Sequence, residues 1–390
     1  VIVVRRKVIP VIIFAVAVFL AGCGNKNSEE DKNIHVDTNI NNNNNVVTNN
    51  TDNTLKEEKN TGSKETTKEN STTKPEESNN NHKSSYSIDD YFKFKGNVKY
   101  SYTGTNSEYA EYVTYVDYIN GNKVQLRSND GGTETVTVLQ NNNGEIAKIF
   151  ERNECYYREN FTNKPYNVSE VLLKEPLVVG TTWKLSDGSK RYISKVDVKI
   201  SIGNGDCRAL EVTTENTNGQ IDLQYYAVNK GLIKSIYDIK TMKVTSTLKS
   251  IEENMRLNQS IRCYYPDENY KIHYEDKKLT FSTNDITKIA IQNLFKNFPG
   301  NNKGQLLGKN VTINSLYLND DGMVYIDFSS NFVKEMNAGS GFESAILESI
   351  VNTIGKYYGV NKVYITIDNK PYSSGHIVKA KGEYFKVTCE

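Results

Sequence analysis

Apolar and polar residues alternate with a period of two over most of residues 86–256. The stretch "EYVTYVDYINGNKVQLR" sets Val113, Tyr115 and Asp117 on one face and Thr114, Val116 and Tyr118 on the other. Asn120-Gly121 then supplies the positive-φ pair of a tight hairpin turn. "TETVTVLQNNNGEIAKIF" repeats the scheme around Asn143-Gly144, and further turns fall at Gly203–Asp206, Asn218-Gly219 and Asn229–Gly231. Regular turns between short alternating runs predict an antiparallel sandwich, curled sheet or half-barrel over about 86–256. One short helix is predicted at "NVSEVLLKE".

The period changes in the last third of the chain. "IRCYYPDENYKIHYEDKKLTFS" reads as strand, turn and strand. In "STNDITKIAIQNLFKNFPG", Ile286, Ile289, Ala290, Leu294 and Phe298 share one helical face. Ser282 or Thr283 is placed to cap this helix, and Pro299-Gly300 to stop it. "VTINSLYLNDDGMVYIDFSS" predicts a hairpin turning at Asp320-Asp321-Gly322. "SGFESAILESIVNTIGKYYG" predicts a second helix with Ser340 and Glu343 as a capping box and Leu347, Ile350, Ile354 and Tyr357 or Tyr358 as its buried stripe. In "NKVYITIDNKP", Val363, Ile365 and Ile367 alternate. The predicted order is β-α-β-β-α-β with an extra strand in front, a split β-α-β arrangement with helices on one face of a mostly antiparallel sheet.

The other end of the chain carries neither period. Arg5, Arg6 and Lys7 precede an apolar run from Val8 to Ala21, shorter than the roughly twenty residues of a spanning helix and of the size of a secretory signal. Leu20-Ala21-Gly22-Cys23 resembles the bacterial lipobox. That resemblance implies cleavage between Gly22 and Cys23, a diacylglycerol on the Cys23 thiol, and anchoring on the outer face of the cell membrane. The alternative is an uncleaved anchor with an incidental cysteine. From Gly24 to Ser85 the chain is Asn, Thr, Lys, Glu and Ser without apolar period, the composition of a disordered linker. The expected organisation is a signal peptide at 1–22, a lipid-anchored linker at 23–85, a β-rich domain at 86–257 and an α+β domain at 258–390.

Composition narrows the function classes. The formal net charge is +1 over 390 residues, which gives no global field for nucleic acid. Heavy use of Asn, Lys, Ile and Tyr fits AT-rich codons, and with the lipobox it points to a low-GC Gram-positive host. Beyond Cys23, the cysteines Cys155, Cys207, Cys263 and Cys389 form no C-x-x-C, so zinc and thioredoxin-like chemistry lack support. Outside the membrane they allow disulfides, with Cys155–Cys207 and Cys263–Cys389 as the local pairing; buried free thiols are the alternative.

"VYIDFSSNF", "GSGFESAILESIVNTIGKYYGVNKVYITIDNKP" and "SSGHI" together resemble the GerMN domain of bacterial sporulation and spore-germination proteins. The matching positions include Asp327-Phe328-Ser329, Phe332, Gly339-Ser340, Glu343, Ile350–Thr353, Val363, Ile367-Asp368 and Pro371, over about residues 285–377. Asn369 stands where that family usually has Gly, which bears on the loop geometry. The resemblance implies an envelope or sporulation role with protein partners or self-association, and it carries over no catalytic residue and no cofactor.

Enzyme signatures are weak in the residues themselves. His376 follows Ser373 and Ser374, but there is no G-x-S-x-G elbow. His273 and His376 without a carboxylate motif make no metal site. Asp320 and Asp321 are turn acids, and Asp327 is placed to fix a loop. Trp183 reads as a core aromatic. The tyrosines Tyr100, Tyr102, Tyr109, Tyr112, Tyr115 and Tyr118 suit strand propensity or a ligand surface. The reading is therefore a non-enzymatic lipoprotein acting by binding and assembly. The alternatives are a ligand-binding or sensor lipoprotein, which a deep apolar cavity in the β domain would favour, and a regulator of a cell-wall hydrolase.

Overall fold

A computed structural model describes residues 86–239, 241–298 and 305–389. The signal segment, Gly22 and Cys23, the linker 23–85 and Pro299-Gly300 lie outside the described residues. The β region opens with a short helix, α1 (Ile88–Tyr91), followed by two meanders. The first is β1 (Val98–Thr105), β2 (Tyr112–Asn120), β3 (Lys123–Asn129), β4 (Glu134–Asn142), β5 (Glu145–Arg152) and β6 (Glu170–Lys174). The second is β7 (Thr182–Lys184), β8 (Lys190–Ile202), β9 (Gly205–Glu215), β10 (Ile221–Ala227), β11 (Gly231–Asp238) and β12 (Lys243–Glu253). Its predicted turns use the residues that tolerate them: Gly121 has φ 58°, and Asn143 and Gly144 have φ 49° and 78°.

All twelve strands form one sheet in the order β6-β5-β4-β3-β2-β1-β12-β11-β10-β9-β8-β7, with every pair antiparallel. Each meander is local, and the β1–β12 ladder, from Val98↔Glu253 to Thr105↔Thr245, joins them. The sheet curls until its edges meet through side chains. Trp183 Nε1 on β7 donates to the Val171 carbonyl on β6 at 3.0 Å. Arg191 on β8 donates to the same carbonyl at 2.9 Å and to Glu170 at 2.9 Å. Of the three predicted β architectures, the curled sheet is the one formed.

The helix predicted at "NVSEVLLKE" is instead the edge strand β6. Its Glu, Leu and Lys are good helix formers, but Ile146↔Leu173 pairing places Leu173 fully inside the curl. Burial and a ladder outweigh that local preference.

The C-terminal region runs β13 (Leu257–Pro266), β14 (Ile272–Phe281), α2 (Thr287–Asn297), β15 (Ile313–Leu318), β16 (Val324–Phe328), α3 (Asn331–Met336), α4 (Ser340–Tyr358), β17 (Lys362–Ile367), β18 (Lys370–Pro371) and β19 (Phe385–Lys386). Strands β15, β16, β17 and β18 form one sheet with β19 also on β17, while β13 and β14 pair only with each other. The β16–β17 pair is parallel, with α4 in the crossover between them. The β-α-β-β-α-β order is present along the chain, but its first strand does not join the sheet of the others. Helix α3 was not foreseen.

Both predicted helix starts need correction. Helix α2 begins after Ile286 with no side-chain cap, because Asp285 turns back to accept from the Ser282 amide at 2.7 Å. Its buried face is Thr287, Ala290, Ile291, Leu294 and Phe295; of the predicted stripe Ala290, Leu294 and Phe298 are buried, Ile289 is half-buried and Ile286 is exposed. Helix α4 starts after Gly339 without a side-chain cap. Glu343 is buried and accepts from Tyr372 Oη at 2.8 Å and Ser374 Oγ at 2.5 Å, so it fastens a loop rather than closing a capping box. The predicted stripe of Leu347, Ile350, Ile354, Tyr357 and Tyr358 is buried.

One hydrophobic core runs through both regions. Val136 and Val138 on β4, with Phe150 and Phe161, pack in the same cluster as Ile261, Phe295, Ile350 and Ile354. Leu139, the neighbour on β4, belongs to the separate core inside the curl with Val124, Leu173, Trp183 and Tyr226. Strand alternation thus sends one face of β4 to the α+β region and the other into the curl.

Candidate functional site

Three places concentrate polar or ligand-accessible groups: the joint between the regions, the loop around Asp327, and the space inside the curled sheet.

The joint is built on Asp117 of β2, which is 1% exposed. One carboxylate oxygen accepts from Arg158 Nε at 2.8 Å, and the other accepts from Arg127 Nε and Gln125 Nε2, each at 3.1 Å. Arg158 also donates to the Asp117 carbonyl at 2.8 Å, to Tyr118 Oη at 2.7 Å and to the Asp285 carbonyl at the start of α2. Its guanidinium lies over the rings of Tyr118 and Phe281, 4.1 and 4.7 Å from their centroids. Arg127 is closed off by Glu134 at 2.8 Å and by the Tyr157 carbonyl at 2.8 Å. Burial pushes the Asp117 carboxyl up, but the two guanidiniums outweigh it and hold the group below its ordinary range. Two cations against Asp117 and Glu134, with their hydrogen bonds filled, make a balanced dry joint. Beside it, Glu159 borders a recess with Ile286, Lys288 and Tyr358, and burial pushes its carboxyl up to about 6.

Asp327 is 2% exposed at the end of β16. It accepts from Thr366 Oγ1 at 2.6 Å, the Asn369 amide at 2.7 Å and Asn314 Nδ2 at 2.8 Å. Its side chain therefore ties β15, β17 and the following turn together. In that turn Asn369 has φ 63°, a conformation that Asn adopts more readily than other side chains, which accounts for its standing in a glycine position. Asp321 accepts from the Met323 amide at 3.0 Å and Tyr325 Oη at 2.8 Å, as a turn acid does. His273 Nε2 lies 2.9 Å from Asp267. His376 is exposed, and Ser374 Oγ donates to Glu343 instead of pointing at that ring. Among the described residues, no group of three His, Cys, Asp or Glu is arranged to hold a metal ion.

The four described cysteines are free thiols, so neither local disulfide forms. Cys155 lies in the shared core while Cys207 sits at the edge of a separate cluster on the second meander. Cys263 faces the shared core, whereas Cys389 interacts with its strand neighbour Tyr264, whose side chain leaves the opposite face of β13. Burial pushes the Cys155 thiol up to about 11 and the Cys263 thiol up to about 12.

Inside the curl is a cavity of about 320 Å³. Its wall is aromatic and aliphatic, with Phe92, Phe94, Tyr100, Tyr102, Tyr112 and Tyr226 prominent. Tyr102 and Tyr112 stack at 4.4 Å between centroids. Thr137, Leu139 and Leu172 line other parts of it, together with Lys148 and Glu170. The six tyrosines singled out in the sequence separate here. Tyr100, Tyr102 and Tyr112 line the cavity, Tyr109 is exposed, Tyr115 packs against the shared core, and Tyr118 belongs to the joint. Trp183 is a core residue, as its sequence context suggested. The Asp117–Arg127–Arg158 joint was missed because its members are brought together only by the fold, and Asp117 read merely as one member of an alternating strand.

Residues 262–373 match the sequence model of the Germane family, described as sporulation and spore germination. Among solved structures, the chain is similar to the tandem GerMN domains of the sporulation protein GerM from Bacillus subtilis, at 18% identity over 33% of this chain and 46% of that one, with a TM-score of 0.26. It thus spans about half the length of that protein. The first GerMN domain of GerM alone aligns at 20% identity, over 33% of this chain and 96% of its own, with a TM-score of 0.26. An exported protein with a YmcC-like fold from Bacteroides fragilis aligns at 11% identity, over 41% and 97% of the two chains, with a TM-score of 0.24. A search of curated proteins gives no match.

Proposed function

We propose, from the premise that residues 262–373 form a GerMN-type domain, that this chain is a lipid-anchored extracytoplasmic protein acting by binding and assembly in sporulation, germination or envelope organisation. The observation that carries the reading is the joint. Arg158, held by Asp117, bonds to Asp285, Tyr357 and Thr287 across it, and a shared core packs the GerMN-type domain on β4 and β5, so the two regions present one surface. The buried carboxylates of the GerMN-type domain, Asp327 and Glu343, are occupied in fastening loops. Anchoring rests on the lipobox-like Leu20–Cys23, and its partners are the membrane, through a diacylglycerol on Cys23, and proteins of the envelope.

Helix α4 is a poor candidate for the contact surface. Only Ser340, Gly341, Ser344, Glu348 and Lys356 along it are exposed, and Glu348 already accepts from Thr388 at 2.7 Å. Exposed aromatics of the same domain, Tyr274 and Tyr317, are better placed. The test is complementation of a deletion strain, with retention in the membrane fraction scored in parallel. Tyr274→Ala and Tyr317→Ala should hold stability within about 0.5 kcal/mol while reducing both complementation and recovery of the partner complex. Cys23→Ala should release the protein from membranes. Full complementation by a Tyr274→Ala/Tyr317→Ala double variant, together with full complementation by Cys23→Ala, would overturn the reading. Deleting residues 258–390 is not a usable test, because it strips the shared core from β4 and β5.

A second reading, ligand binding by the β domain, has the cavity in its favour.

A further inference from the structure

We propose that the cavity in the curled sheet holds the apolar chain of an uncharged membrane amphiphile whose head carries hydroxyl groups, of the monoacylglycerol kind. The inference does not depend on the GerMN-type reading, since the cavity belongs wholly to the β region.

Size and wall come first. At about 320 Å³ the cavity lies at the lower end of the ~300–1,000 Å³ typical of small-molecule sites, too small for a two-chain lipid. Phe92, Phe94, Val124, Leu126, Leu139 and Leu232 give it an apolar lining, which favours burial of an alkyl chain.

Its two ends differ. One is closed by α1 and the segment after it. The Asn229 amide donates to the Asp90 carbonyl at 2.7 Å, Asn141 reaches Asp89, and the Ile88 amide donates to Glu175 at 2.8 Å. Lys93, Lys95 and Lys230 border this closed end, and Lys95 is paired with Glu253 at 2.6 Å. Toward the other end, Tyr112, Ser128 and Tyr237 are shared with a second recess, of about 430 Å³, lined by the turns at 107–110 and 130–133 and by β11 and β12. Exposed Tyr109 and Tyr237 line that recess. Two exposed aromatic side chains beside an opening suit contact with the surface that supplies an amphiphile.

Charge selects the head. Within the cavity, Lys148 is committed to Glu151 at 2.7 Å and to Glu170 at 3.0 Å, and Glu170 also holds Arg191 at 2.9 Å. At the mouth the lining carries the hydroxyls of Ser107, Ser128, Thr133, Thr135, Ser235 and Ser246; Ser246 donates to the Ala110 carbonyl at 2.7 Å and Thr135 to Asn153 at 3.0 Å, which leaves their oxygens to accept. The one charged residue there is Asp130, which accepts from the amides of Gly132 and Thr133 at 2.9 and 2.8 Å. A carboxylate or phosphate head would meet an acid and no cation, which is costly in a partly dry site, whereas hydroxyls can exchange hydrogen bonds with the serines and threonines.

The chain has one tryptophan, Trp183, in the core that also includes the cavity-lining Val124, Leu139 and Tyr226. Full-length protein titrated with a monoacylglycerol bearing a brominated chain, below its micelle concentration, should show saturable quenching of Trp183 at one equivalent. The same chain as a free fatty acid at pH 8, or as a lysophosphatidic acid, should bind at least tenfold more weakly, and glycerol alone should not compete. Thr137→Phe and Leu172→Phe grow side chains into the cavity. Each should weaken monoacylglycerol binding at least tenfold at an unchanged melting transition. Absence of saturable quenching, wild-type affinity in a narrowed variant that melts normally, or equal affinity for the acidic lipids overturns the proposal. If neither variant folds, the three-lipid comparison on the unaltered chain decides it. Complementation by the Tyr274 and Tyr317 variants is a separate readout, so either reading can fail without the other.

Discussion

The two meanders have six strands each and different surroundings. In the first, β4 turns Val136 and Val138 to the shared core and Leu139 to the inside of the curl, so both its faces are covered. In the second, β8 alternates between half-buried and exposed positions from Ser194 to Ile202, the pattern of a sheet with one wet face. Their ionic groups follow suit. The side chains of Asp117, Arg127 and Arg158 are at most 1% exposed, whereas Lys148 and Glu170, where the meanders meet, are 20% and 26% exposed. A wall covered on both sides can be tied by charge only if every partner is present. A wall with water on one side can leave a space within the curl and tolerate an imperfect pair.

Removing Arg158 should break this comparison most severely. Arg158→Ala leaves Asp117 buried with one of its two cations and should cost about 3–5 kcal/mol in denaturant unfolding. Ile350→Ala, in α4, should cost about 2–5 kcal/mol. If the core is shared, the loss must appear at the same midpoint by Trp183 fluorescence, which reports on the curl, as by far-ultraviolet circular dichroism. Separate midpoints would divide the molecule at the joint. Glu170→Gln should cost less, about 1–2 kcal/mol, because Arg191 keeps the Val171 carbonyl and Lys148 keeps Glu151.

Glu159 gives a pH-dependent test. Burial raises its carboxyl from the ordinary 4.5 to about 6, so the folded protein holds that proton more tightly than the unfolded chain. The linked stability is full below 4.5, declines as pH rises toward 6, and stays lower above it. Glu159→Gln should remove that decline, read as urea midpoints at pH 4.5 and 7.5. The smallest effect is expected at Ser340. Its side chain caps nothing in α4, so Ser340→Ala should stay within about 0.5 kcal/mol rather than incur the loss of a helix cap.

What could be read from the sequence was local. Period-two alternation and turns such as Asn120-Gly121 locate the strands of both meanders, and the Ile350 and Ile354 spacing locates the buried stripe of α4. The fate of Glu343 was not local. A serine three residues before a glutamate satisfies a capping pattern, yet Tyr372 and Ser374 arrive from later in the chain and take the carboxylate. Strand β6 was hidden because its composition favours a helix and its neighbour β5 decides otherwise. The burial of polar α4 residues was equally illegible. Thr353 accepts from the Tyr264 amide at 2.9 Å and Asn352 from the Thr388 amide at 2.8 Å, partners far away in sequence. Of the candidate site, the tyrosine-rich strands were visible, but which tyrosines share a cavity depends on how the sheet curls.

The β1–β12 ladder also sets a schedule. Hairpins within each meander can form as soon as their few residues exist, but Val98 must wait for Glu253, the last residue of the β region's final strand. A nascent chain made from its amino end therefore holds β1 with an unfilled edge until the second meander has been synthesised. The outer face of β4 waits longer still, until α4 is made. Residues translated later thus cover apolar surface translated earlier, and during that interval a holding chaperone would have most to do.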